Sequence, residues 1–102
     1  MQVSYSPKAV EDIERARQYI LGRFCNPGAA MNAVRTIFEA GDHLAADPEI
    51  GAVLKTDLDL LFGYRRIVAG EYVVIYRVQK DEVRIIRVFH RLQDVVSHLM
   101  NE

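Results

Sequence analysis

Between Leu61 and Met100 the chain gathers the side chains best suited to chemistry on an anion. Tyr64, Arg65 and Arg66 open one apolar run, Tyr72, Tyr76 and Arg77 lie in the next, Arg84 and Arg87 in a third, and His90, Arg91 and Asp94 close the series. Guanidinium groups stabilise charge that develops on a phosphate, and an imidazole that titrates near neutral pH moves protons to and from hydroxyls. The candidates for contact with a partner are Tyr64, Arg65, Tyr76, Arg77, Arg87, His90 and Arg91. Each has a plainer role beside it. Arginines on a sheet are commonly solvated or paired with acids such as Glu71, Asp81 and Glu82 for little net gain. A histidine at a strand end bonds to backbone, Asp94 pairs with Arg91 or caps a helix, and tyrosines pack in cores. Arg65 and Arg66 must point to opposite faces of a regular strand, so they cannot serve one site.

Other chemistries find less support. His43, His90 and His98 are scattered without partner cysteines, so no metal-ligand spacing is present and no cofactor is implied. The single cysteine, Cys25, excludes an internal disulfide and suits a reducing cytoplasm; it is expected to cap or pack at a helix end. No run of about 18 apolar residues exists, which argues against a membrane span. Met1–Tyr5 has neither the basic start nor the apolar stretch of a signal peptide.

The elements that must position the arginines can be read from periodicity and punctuation. The 102 residues, half of them hydrophobic, predict one domain with a compact core. The net charge of −1 hides an asymmetry. Residues 1–60 carry six Lys/Arg against nine Asp/Glu, and residues 61–102 carry seven against five. That excess is too small for a general polyanion binder and points to a specific patch.

A strand over Gln2–Tyr5 opens the domain. Ser6-Pro7 is an N-cap followed by proline at the first helical position, and Tyr5 and Val10 stand at hydrophobic-staple positions. Val10, Ile13, Arg17, Ile20, Leu21 and Phe24 share a face, predicting a helix over Pro7–Phe24. Asn26-Pro27 repeats the signal and starts a second helix, which Asp47-Pro48 ends. Gly41 within it is expected to allow close packing against the first helix. Glu49 to Asp59 shows no period and reads as a loop. Three strands follow, with turns at Gly70 and at Gln79-Lys80-Asp81. In the middle one, Tyr72, Val74, Tyr76 and Val78 share one face, and Val73, Ile75 and Arg77 the other. Both faces are apolar enough to need cover. Leu92, Val95, Val96, Leu99 and Met100 recur at helical spacing. The expected order is β-α-α-β-β-β-α, an α+β fold in which a helical hairpin packs on a small, twisted, mainly antiparallel sheet.

Several local patterns resemble the ParE/RelE superfamily of type II toxin–antitoxin toxins. They are Ser4-Tyr5-Ser6-Pro7-Lys8-Ala9 with Asp12-Ile13, Gly63-Tyr64-Arg65, Val74-Ile75-Tyr76-Arg77-Val78, and the strand Val83–Phe89 running into His90-Arg91-Leu92-Gln93-Asp94. The resemblance spans nearly the whole chain. It implies a toxin held inactive by a small cognate antitoxin, ParD-like or otherwise, which would carry any operator DNA recognition. Two activities are open. ParE-like members poison DNA gyrase, whereas RelE-like members cleave mRNA on the ribosome. RelE places an arginine directly after the tyrosine of the middle strand, where this chain has Val73. RelE also has a tyrosine near the C-terminal end, where this chain has Val95-Val96-Ser97. Only Arg91 falls on a cationic position of that site. The resemblance therefore favours ParE; the alternative it leaves is a RelE-like endoribonuclease, for which it implies Arg91, His90 and Arg65 as the catalytic candidates.

Overall fold

The computed structural model describes residues 1–54, 63–93 and residue 99. Seven elements follow in order: β1 (Gln2–Tyr5), α1 (Pro7–Phe24), α2 (Pro27–Ala46), β2 (Ala52–Val53), β3 (Tyr64–Ala69), β4 (Tyr72–Gln79) and β5 (Glu82–His90). The five strands form one sheet in the order β1-β5-β4-β3-β2. All neighbours run antiparallel except β1, which lies parallel to β5. This is the expected α+β arrangement with one addition. Ala52 and Val53 leave the predicted loop to pair with Arg66 and Arg65 of β3. Two residues are too few for a period of two to show.

Both helix starts form as their sequences dictate. Ser6 accepts from the Ala9 amide and Asn26 from the Ala29 amide, each with proline beginning the helix behind it. Cys25 ends α1 in the left-handed conformation, its amide donating to Leu21 O at 2.9 Å. Gly70 holds the β3–β4 turn at a φ of 64°, a region closed to most side chains.

The middle strand divides the core as its alternation predicts. Val74 and Tyr76 join Ile13, Ile37, Leu44 and Ile85 between sheet and helices. Val73 and Ile75 join Leu54 and Phe89 on the far face, where Tyr64 and Leu99 pack against them. Leu99 is helical, and the rest of the predicted C-terminal helix beyond Gln93, with Asp94, lies outside the described residues.

The buried face of α1 differs from the expected one. Val10 and Phe24 are exposed, and Ala9, Asp12, Ile13 and Ala16 point inward. Small residues let the helix approach the sheet closely. The Tyr5 ring packs edge-on against Phe38 at 5.2 Å, while Val10, its expected staple partner, faces solvent. Gly41 makes room for β1 and not for α1, because a methyl there would run into the Tyr5 hydroxyl.

Candidate functional site

The predicted site residues fall in three places, and the first is the far end of β5. Strand β1 stops at Tyr5, opposite Ile85, yet β5 continues to His90. An uncovered strand edge exposes backbone groups that need partners, and the start of α1 supplies them. Ser6 N donates to Ile85 O at 2.9 Å, Ser6 Oγ donates to Ile86 O at 2.6 Å, and Val88 N donates to Asp12 Oδ2 at 2.9 Å. The register shifts here, Ile85 facing Tyr76 and Arg87 facing Ile75, so Ile86 is the extra residue of a bulge. Asp12 also receives Arg87 Nε at 2.7 Å, Arg87 NH2 at 3.0 Å and Arg15 at 3.3 Å. The Arg87 guanidinium lies 4.6 Å from the Phe89 ring centre. With its side chain 11 % exposed, Arg87 is chiefly part of the α1–β5 joint. Sequence reasoning missed Asp12 as a member of this end of the molecule. Its signals were a carboxylate spaced among the apolar residues Ala9, Ile13 and Ala16 and its place in the family-like pattern that runs from Ser4 to Ile13.

Two residues further on, His90 is woven into a turn. Its amide donates to Gln93 Oε1 at 2.9 Å, and the Leu92 amide donates to its Nδ1 at 3.2 Å. Because Nδ1 accepts, the proton of the neutral ring sits on Nε2. Arg91 doubles back on the β3–β4 turn, its amide donating to Glu71 O at 2.9 Å and its Nε to Glu71 Oε2 at 3.0 Å. Tyr72 meets the His90 ring edge-on at 5.6 Å, and burial, then the neighbouring Tyr19 and Glu71, push its phenol up. Grooves of about 520 and 450 Å³ lie against Tyr19, Tyr72 and His90. One reaches Arg15 and Phe89, the other Phe24, Ala33 and Gly70. Tyr19 and Phe24 stay 59 % and 62 % exposed, so the rim is aromatic.

The second place is the inner side of the sheet. Tyr76, a candidate for partner contact or for the core, is fully buried. Its hydroxyl donates to Pro48 O at 2.8 Å and accepts from Gly51 N at 2.9 Å. Burial raises its phenol, and the Gly51 hydrogen bond opposes the rise. Arg65 lies opposite Tyr76 and donates to Gly51 O at 2.8 Å and Glu49 O at 3.3 Å. Together they fasten the segment after α2. Arg66, on the other face as alternation requires, is exposed.

The third place is the outer face, where Tyr64 and Arg77 stand opposite each other with the guanidinium 5.6 Å from the ring centre. Val73, at the position where the resemblance places a nuclease arginine, is 4 % exposed and packed with Leu54, Ile75 and Phe89. Among the described residues no group of three or more His, Cys, Asp or Glu could hold a metal ion, and no helix is long and apolar enough to cross a membrane.

A helical hairpin on a five-stranded mixed sheet is the α+β fold of the ParE/RelE class. Residues 3–95 match the family model of the ParE toxin of type II toxin–antitoxin systems, so the chain belongs to that toxin family within the ParE/RelE superfamily. A curated relative, Toxin RelE3 of Caulobacter vibrioides, is 32 % identical over 91 residues, covering 89 % of this chain and 95 % of the relative. Among solved structures, the chromosomal ParDE system from P. aeruginosa superposes with a TM-score of 0.72 at 22 % identity, over 88 % of this chain and 95 % of that one. The RelBE2 toxin–antitoxin complex from Mycobacterium tuberculosis gives 0.64 at 22 % identity, over 88 % and 96 %. These two establish the likeness of fold.

Proposed function

We propose that this type II toxin is ParE-like, that it arrests growth by binding DNA gyrase without chemistry of its own, and that a cognate antitoxin neutralises it. The observation that carries this reading is Val73, buried in an apolar cluster where a RelE-like nuclease would present a cation. The remaining candidates support it. Arg65 is turned to the backbone of Glu49 and Gly51, and Arg91 is ion-paired with Glu71. One guanidinium and one imidazole are poor machinery for a reaction that needs both charge stabilisation and two proton transfers.

The aromatic-rimmed grooves around Tyr19 suit the antitoxin. An amphipathic helix laid there would cover Tyr19 and Phe24, and buried apolar area stabilises such a complex by about 25 cal/mol per Å². Operator DNA would be recognised through that antitoxin.

A RelE-like endoribonuclease is the second reading, favoured by the adjacency of His90 and Arg91 and by the likeness to Toxin RelE3 of Caulobacter vibrioides. Pulse-labelling within minutes of expressing the chain without antitoxin separates the two. The gyrase reading expects DNA synthesis to fall first with translation intact. An early fall in translation overturns it. Arg91→Ala and His90→Ala would then be expected to cut cleavage about 10²–10³-fold, the usual loss for one charge-stabilising group.

A further inference from the structure

Near the β4–β5 turn, on the face of the sheet turned away from the helices, one row of side chains crosses four strands. Tyr64 of β3 stands opposite Arg77 of β4, Arg77 opposite Arg84 of β5, and Arg84 beside Ser4 of β1. Like charges directly opposite one another destabilise a sheet. Both arginines are half-buried, where water screens their repulsion less than at an open surface. Each leans on a neutral neighbour. Arg77 donates to Gln79 Oε1 at 2.8 Å, and Arg84 donates to Ser4 Oγ at 3.1 Å. Ser4 donates onward to Glu82 Oε1 at 3.0 Å, so one carboxylate stands a hydroxyl away from Arg84. Among the described residues neither arginine is ion-paired, the arginine bridges there being those of Arg15, Arg17, Arg87 and Arg91. Arg66, exposed and two residues along β3 from Tyr64, adds a cation to the same face.

We propose that Arg77 and Arg84 form a binding site for a phosphate group. A phosphate offers more oxygens than a carboxylate and spreads them tetrahedrally, so it can accept from two guanidinium forks at once. The Arg77 guanidinium lies over the Tyr64 ring and that of Arg84 against Ser4; each has donors to spare, and from directly opposed positions the two would turn toward each other to share a tetrahedral oxyanion. Bound phosphate would replace the cross-strand repulsion with two attractions. The site lies at the opposite end of β5 from His90 and Arg91, and it holds whichever target the toxin has. Free phosphate and the phosphodiester of a nucleic-acid strand share the required chemistry.

The test titrates the full chain with sodium phosphate, and separately with sodium chloride at matched ionic strength, following the side-chain Nε–H resonances of Arg77 and Arg84. Saturable shifts of both in phosphate alone are expected. Arg77→Gln or Arg84→Gln should weaken binding about tenfold or more, as expected for loss of a charge-assisted hydrogen bond. Arg84→Lys, which keeps the charge and loses the fork, should weaken it less and guards against a folding artefact. A short oligonucleotide without terminal phosphates, binding more tightly than inorganic phosphate, would assign the source to nucleic acid. Equal or weaker binding would assign it to free phosphate. Equal shifts in chloride, or phosphate shifts that survive both glutamine substitutions, would overturn the proposal. So would binding of an acidic peptide where phosphate has no effect.

Discussion

Asp12, its side chain 3 % exposed, accepts from both the Arg87 side chain and the Val88 amide. Asp12→Ala would take the carboxylate from the largely buried Arg87 guanidinium and the acceptor from the Val88 amide. Breaking one side of a buried pair costs about 3–5 kcal/mol, so urea unfolding should show a loss of that size. Asp12→Asn keeps an acceptor oxygen and should lose less. Tyr76 has a comparable role on the inner side of the sheet. Tyr76→Phe removes the bridge between Pro48 and Gly51 and should cost about 1–3 kcal/mol in thermal unfolding. Gly51→Ala should be at least as damaging, because the added methyl would come within 2.7 Å of the Arg66 carbonyl, which is backbone and cannot swing aside.

At the scale of elements, α1 carries a charge network on its solvent face. Arg17 and Gln18 hydrogen bonds hold the Glu14 carboxyl down at about 2, against an ordinary value of 4.5. A lowered carboxylate adds stability above its unfolded value and loses it as pH falls through the folded one. Glu14→Gln should therefore flatten the acid limb of the unfolding curve from about 4.5 down to about 2, and only slightly, since the pair is exposed to solvent. In α2, Gly41→Ala sets two effects against each other. Better helix propensity gains about 1 kcal/mol, while crowding a packed contact costs about 1–3 kcal/mol. The Tyr5 ring, wedged against Phe38, gives crowding the advantage, and thermal melts should show net destabilisation. The caps at Ser6-Pro7 and Asn26-Pro27 were legible because a cap is decided within about four residues. The inward face of α1 was not, because Asp12 is buried to serve Val88, which lies 76 residues away in sequence. For the same reason Tyr76 read as either a core or a partner-contact residue, and the backbone contacts of Arg65 were not foreseen. Their partners Pro48, Glu49 and Gly51 lie in a segment with no periodicity to announce it.

For the whole molecule, the grooves around Tyr19 make a separable prediction. Tyr19→Ala and Phe24→Ala remove exposed rings, so the fold should change by no more than about 1 kcal/mol. If the antitoxin docks there, each should weaken its binding by about 2 kcal/mol or more, the loss typical of an aromatic anchor. Co-expression would then fail to rescue growth, and titration calorimetry would give the deficit. The parallel pairing of β1 with β5 has a further consequence, in time. Gln2–Tyr5 cannot take its place until Glu82–Ile85 has been made. At the roughly 5–20 residues per second of synthesis, the intervening stretch takes about 4–16 s. The helical hairpin can form early, but β1 has no strand to pair with until Glu82–Ile85 has been made, and the sheet that carries the arginines is incomplete along that edge until then. The cell thus has a window of seconds in which the toxin is being made but is not yet assembled, and antitoxin already present can be waiting when the last strand closes.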